Sequence, residues 1–306
     1  MVEDIGKRIR ELRIARGLTR ESFCEDGARL STRQLARIED GQSSPTWDKL
    51  QFIAERLGMS LSEIAGENLV REEILSAEYL ELKNKIIKLP TYGDPERVAK
   101  REEMLELVYE RYYDTLPEEE QLAIEILQSE LDVVTSENAT FGEAIVKDYI
   151  DQTLKKDYFT VNDMLIINLY QLSISTGGTE MDVDLNQVVE KLLSQVSFLE
   201  FSQLYFVKKV LLGYAGVIIF KKEYEKMGYV CQSLREIVTN LQDFQHVPVI
   251  DMLEAKYYLF VKDDFDTFNS RYERAIFSAQ MFADAMLEKR LRETRAEDIQ
   301  EWKSGR

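Results

Sequence analysis

Apolar residues recur at three- and four-residue intervals along nearly the whole chain, and no useful run alternates with the two-residue period of a strand. The pattern predicts an all-α protein. Ile5, Ile9 and Leu12 line one face of a first helix, which Gly17 ends. Thr19 caps a second that turns Phe23 and Cys24 inward. Ser31, with Gln34 in the capping-box position, opens a third; its Leu35 and Ile38 face inward and Gly41 stops it. Beyond Ser44-Pro45, Thr46 caps a fourth helix with Leu50, Ile53, Ala54 and Leu57 on one face and Gly58 at its end. Ser60 and Glu63 form another capping-box pattern, for a last short helix. The charged stretch Gly66-Glu-Asn-Leu-Val-Arg-Glu-Glu73 then interrupts the periodicity. After it, helices are expected near 76–88, 95–114, 118–134, 140–156, 161–174, 184–196, 202–221, 224–241, 248–262 and 265–287, with a tail helix to about 303. Pro90, Gly93-Asp-Pro95, Pro117, Thr160 and Gly177-Gly178 supply the breaks. The expected organisation is a first domain over 1–66, a linker over 67–75, and an array of helix pairs with a C-terminal capping helix over 76–306.

The third helix carries the first candidate chemistry. Arg33 and Arg37, four apart, share a face with Arg29; Thr32 and Gln34 lie near its start. Arg can grip guanine with two hydrogen bonds and Gln adenine, while phosphates accept from the same groups without regard to sequence. The bland alternative is a surface helix with solvated arginines. Five short helices with the third basic match a helix-turn-helix module. The net charge of −17 argues against DNA binding only until it is divided: residues 1–66 carry 11 basic and 11 acidic groups, the remainder 28 and 45. The whole deficit sits in the array, which can compete for the basic face. A neutral module binds DNA weakly as one copy, which favours a dimer on DNA.

Paired helices of this length suggest a solenoid. Gly216, Ile219, Tyr224 and Gly228 are loosely repeated as Ala255, Tyr258, Phe265 and Phe268, near a spacing of about 40 residues. An array of tetratricopeptide (TPR)-like pairs curves around a concave face, which commonly binds peptides. Nothing points to an enzyme, a metal or a cofactor. Asp182 and Asp184 read as solvated loop carboxylates, and His246, the one histidine, reads as structural. Cys24 and Cys231 read as buried thiols in a reducing compartment. No signal peptide is visible, and the longest apolar run, Val210 to Phe220, is too short to span a bilayer, so a cytoplasmic protein without a membrane partner is expected.

Residues 5–65 resemble the Cro/repressor-type (XRE) helix-turn-helix family through the Ile-Gly-x-x-Ile-Arg-x-Leu-Arg start, Arg37-Ile-Glu-Asp-Gly, Ser-Pro-Thr and Leu-x-x-Ile-Ala-x-x-Leu-Gly. Arg20 stands where many members carry Gln, and a phosphate contact is expected there. Over the whole chain the sequence resembles Rgg-type regulators of the RRNPP class, and among them the streptococcal competence regulators. The resemblance is carried by Ser31-Thr-Arg-Gln-Leu-Ala-Arg-Ile-Glu, Glu78-Tyr-Leu-Glu-Leu-Lys-Asn-Lys-Ile-Ile-Lys-Leu-Pro-Thr-Tyr and Asp114-Thr-Leu-Pro-Glu-Glu-Glu. It implies a transcription activator that binds an imported short, hydrophobic peptide pheromone, dimerises and engages a palindromic promoter site on double-stranded DNA. It places Thr91, Arg101, Lys209 and Val249 along the peptide groove; Arg101, Lys208 and Lys209 offer charge to a peptide carboxylate. It also implies an inactive state in which an arginine of the third helix docks on the array. Arg33 against Glu118, in the triplet Glu118-Glu-Glu120, is the expected contact; the alternative is that the triplet only caps its own helix. A peptide-regulated repressor and a TPR-type interaction inhibitor remain as alternatives, the second lacking an N-terminal helix-turn-helix.

Overall fold

The computed structural model describes residues 5–43, 45–60, 64, 75–178, 181 and 183–305. Glu63 of the expected capping box with Ser60, the 67–75 linker apart from Leu75, and Asp182 lie outside them. Among the described residues there is no strand. Among the described residues the N-terminal module has four helices: α1 (Ile5–Ala15), α2 (Arg20–Cys24), α3 (Thr32–Glu39) and α4 (Trp47–Leu57). Eleven more follow: α5 (Ala77–Lys88), α6 (Pro95–Arg111), α7 (Glu118–Ser136), α8 (Thr140–Lys155), α9 (Val161–Ser175), α10 (Leu185–Ser194), α11 (Leu204–Lys221), α12 (Met227–Leu241), α13 (Val247–Phe260), α14 (Phe265–Met281) and α15 (Ala285–Ser304).

The caps explain most of the boundaries. Thr19 Oγ1 accepts from the Ser22 amide at 3.1 Å and opens α2. At α3 the Gln34 amide donates to Ser31 Oγ at 3.2 Å while Gln34 Oε1 accepts from the Ser31 amide at 3.0 Å, a complete capping box. Thr46 holds the N-cap position of α4 but makes no capping bond. Asp94 and Pro95 start α6, Thr160 and Asp163 box the start of α9, and Gly58, left-handed at φ +62°, ends α4. The helix expected over 265–287 is two helices. Ala283 adopts φ +54° and Asp284 accepts from the Leu287 amide at 3.0 Å, so the chain reverses there and starts α15. Asp184, expected to be solvated, caps α10 through the Asn186 amide at 3.0 Å.

Three apolar cores form. The module closes around Ile9, Phe23, Leu30, Leu35, Ile38 and Ile53, all fully buried. A second core runs from Tyr79 to Leu253, with α9 nearly buried all round between α7, α8 and α11. A third, from Ala255 to Leu291, joins α13, α14 and α15; Val249, Met252 and Phe260 pack against both. The ends of the array meet where Arg97 of α6 pairs with Asp284 before α15, at 2.9 Å. Inside the third core Asp298 accepts from Tyr272 Oη at 2.6 Å and pairs with Lys256. Cys24 and Cys231 are free, buried thiols, each pushed up to about 12 by burial. No helix of the described residues is long and apolar enough to cross a membrane.

Candidate functional site

The basic helix α3 is held from behind. Glu39, buried, accepts from Arg13 of α1 at 2.5 and 3.0 Å and from Arg20 of α2 at 2.8 Å, so three helices meet on one carboxylate. Burial works against the Glu39 charge, but the hydrogen bonds from Arg13 and Arg20 outweigh it and hold the carboxyl below its ordinary value. Arg20 is therefore tied to Glu39 and, at 3.5 Å, to Asp40. Gln34 departs from the expectation that it reads a base. It is 5% exposed and its amide is used in the capping box, because one side chain cannot both close the cap and reach outward.

The outer face of α3 docks on the array. Arg33 pairs with Asp148 of α8 and lies over the Tyr149 ring at 5.7 Å. Arg37 donates to Glu125 of α7 at 3.3 Å and to Gln121 at 3.5 Å. Lys49 of α4 donates to Glu118 at 3.0 Å, with the two side chains only 7% and 1% exposed. Lys155 reaches the Asp26 carbonyl at 2.9 Å and Gln152 the Ala28 carbonyl at 3.1 Å. The contact expected between Arg33 and Glu118 is thus replaced by two others. Glu118, at the first turn of α7, meets α4 instead of α3, and Arg33 reaches across to α8. Burial pushes the Glu118 carboxyl up, and Lys49 opposes this. Thr32 is exposed at the start of α3. Lys49, Asp148 and Glu125 escaped the sequence reading. The one signal was Lys49, four residues before Ile53 on the apolar face of its helix.

On the other side of α7 lies a cavity of about 210 Å³. Its polar wall is Arg101, Glu130, Asn168, Lys208, Lys209 and His246; Leu89, Thr91, Val134, Leu172 and Leu212 contribute much of the rest. Four of the five expected groove residues, Thr91, Arg101, Lys208 and Lys209, come together here. Val249 does not line the cavity; it packs at the seam between the second and third cores. The charges are unevenly shared. Lys208, buried, pairs with Asp243, with His246 Nδ1 at 3.2 Å. Burial lowers its pKa against the pull of Asp243 and holds Lys209 below its ordinary value too. Among the described residues Glu130 is the one carboxylate that meets both Lys209 and Arg101. A larger depression of about 410 Å³, beside Arg271 and Arg274, offers no such opening, since Arg271 pairs with Glu254 and Arg274 with Asp251. Among the described residues no group of His, Cys, Asp and Glu has the arrangement of a metal site.

A helix-turn-helix module seated on a closed array of helix pairs around a charged cavity defines a DNA-binding regulator, not an enzyme. The ComR tetratricopeptide family model matches residues 77–295 and the helix-turn-helix family model residues 9–64. The chain belongs to the ComR family of RRNPP-type regulators. ComR from Streptococcus suis is 35% identical, with 97% of this chain and 96% of that chain covered and a TM-score of 0.74. The apo form of ComR from Streptococcus thermophilus is 31% identical, with 97% and 100% covered and a TM-score of 0.82. The complex of S. thermophilus ComR with DNA and its signalling peptide ComS, also 31% identical with 96% and 99% covered, scores 0.63. The docked arrangement seen here is therefore nearer the apo form. No curated protein matches the sequence.

Proposed function

We infer that the chain is a cytoplasmic, peptide-activated transcription regulator, described here in its silent state. One observation carries the reading: the side chains of α3 that would meet DNA are engaged by carboxylates of α7 and α8, while a charged cavity lies behind α7. The same guanidinium cannot serve Asp148 or Glu125 and a base or phosphate at once, so docking and DNA binding exclude each other. A ligand that prefers the released form shifts that equilibrium by its difference in affinity. The ligand assigned to the cavity is a short peptide with apolar side chains and a carboxylate, seated against Thr91 and the basic groups Arg101, Lys208 and Lys209. Thr32, Arg33 and Arg37 are assigned to the DNA and Arg20 to a backbone phosphate. Residues 1–66 are the DNA-binding unit and 76–306 the peptide-binding and dimerising unit. A homodimer on a palindromic promoter site presents two modules and so overcomes the neutral charge of each.

Fluorescence polarisation of a labelled promoter duplex, titrated with and without synthetic candidate peptides, tests this. Peptide should be required for tight binding. With peptide present, Arg33→Ala and Arg37→Ala should each weaken binding by about 1–3 kcal/mol. Parental affinity in both variants would mean that α3 is not the reader.

A further inference from the structure

Helix α7 separates the cavity from the docked module and touches both. Glu118, Gln121 and Glu125, spaced by three and four residues, form the face that meets Lys49 and Arg37. Glu130 lies five residues beyond Glu125, about 140° further round the helix, and lines the cavity. It is 3% exposed and fully engaged: Oε1 accepts from Asn168 Nδ2 at 2.7 Å, and Oε2 meets Lys209 of α11 and lies 3.5 Å from Arg101 Nη2 of α6. Arg101 is less well served. Its Nε and Nη2 are buried without a hydrogen-bond acceptor, although the guanidinium lines the cavity. Two cations thus share one carboxylate of α7, and one of them has donors to spare. Lys209 shares that carboxylate, which opposes the lowering of its pKa by burial.

We propose that Glu130 occupies the place of the ligand's carboxylate and couples the cavity to the docked module: an anionic ligand group captures Arg101 and Lys209, and the deserted Glu130 drives α7 out of its docked position. This rests on the reading of the cavity as the ligand site and names the event that releases the DNA-binding helix. An incoming carboxylate first meets the unused Arg101 donors and then competes for Lys209. Glu130, itself 3% exposed, is left with Asn168, and a buried charge without a counter-ion is strongly disfavoured. The relief is a shift of α7, whose opposite face carries Glu118 and Glu125. Glu130 is thus a positioning residue that acts through its helix.

The test needs no peptide. Lys209→Met in the full chain imitates capture of that ammonium and leaves Glu130 with Asn168 and only the 3.5 Å contact to Arg101 Nη2. Affinity for a short random-sequence duplex, and amide exchange over residues 28–37, should each rise about tenfold. Lys209→Met with Glu130→Gln leaves no carboxylate on α7 to strand and should return both readouts to the parental values; Glu130→Gln alone should stay docked. Exchange within α9 and α11 reports whether the fold survives. If Lys209→Met stays docked, or if the double variant is released as fully as the single, the coupling is overturned. Lys49→Met, which breaks the dock directly, separates the two failures. Release in Lys49→Met but not in Lys209→Met removes only the role of Glu130. Release in neither removes the docked, silent state itself.

Discussion

Lys49→Met is expected to release the DNA-binding module and raise peptide-independent affinity for promoter DNA by about one to two orders of magnitude. The ion pair it breaks is nearly dry, with Lys49 7% and Glu118 1% exposed. Removing one member of a buried pair leaves the other charged and unpartnered, at a cost of about 3–5 kcal/mol. That cost falls on the docked state alone, because Glu118 is hydrated once the module leaves. Each 1.4 kcal/mol is about a factor of ten, so the shift is limited mainly by how strongly docking is favoured in the parent. Arg33 and Asp148 are each 39% exposed, and an exposed pair contributes about 0–1 kcal/mol. Asp148→Ala should therefore raise affinity only a few-fold. The double variant Lys49→Met, Glu118→Leu, which replaces the pair by apolar groups, should bind DNA nearly as poorly as the parent without peptide. Polarisation titrations of the three variants decide the matter, and equal effects from Lys49→Met and Asp148→Ala would show that burial does not set the strength of the dock.

Local chemistry was readable from the sequence because its causes lie within a few residues. The Ser31–Gln34 box, the Thr19 cap and the stop at Gly58 each follow from neighbouring side chains. Failures appear where a cause is backbone or distant. Lys222, Gln242, Asp263 and Ala283 all adopt positive φ at hairpin ends, at intervals of about 20 residues, so the repeat is written in backbone conformation. None of the four is glycine, and hence the break at Ala283 was invisible and the repeat looked degenerate. The acidic triplet at 118–120 was recognised as a helix start, which it is; that Glu118 is also buried against Lys49, 69 residues away, no local pattern could show. Gln34 satisfied two readings at once, cap and base reader, and the cap claims it. At the cavity the family resemblance located Thr91, Arg101 and Lys209 but also Val249, which does not line it, and charge pointed to Lys208; Glu130 lay within an ordinary helical pattern, and His246, between two expected helices, read as structural.

Glu39→Ala is expected to destabilise the N-terminal module by about 3–5 kcal/mol, because it strands Arg13, whose side chain is 8% exposed, in the interior. Few substitutions in the module should cost more, since Glu39 joins α1, α2 and α3 through one carboxylate. Urea denaturation of the full chain, followed by amide exchange over residues 5–57, separates the module from the array. The pH dependence has a definite sign. The Glu39 carboxyl is held below its ordinary value in the folded module, so the unfolded chain binds its proton more readily. The stability it contributes is fully present above the unfolded carboxyl value of about 4.3 and is lost as pH falls from there through the depressed folded value. The gap between parent and Glu39→Ala should accordingly be widest near neutral pH and narrow below about pH 4. A gap that stays constant from neutral pH down to about pH 3 would mean that the ion pair contributes through packing alone and that the charge on Glu39 is not what holds α3 in place.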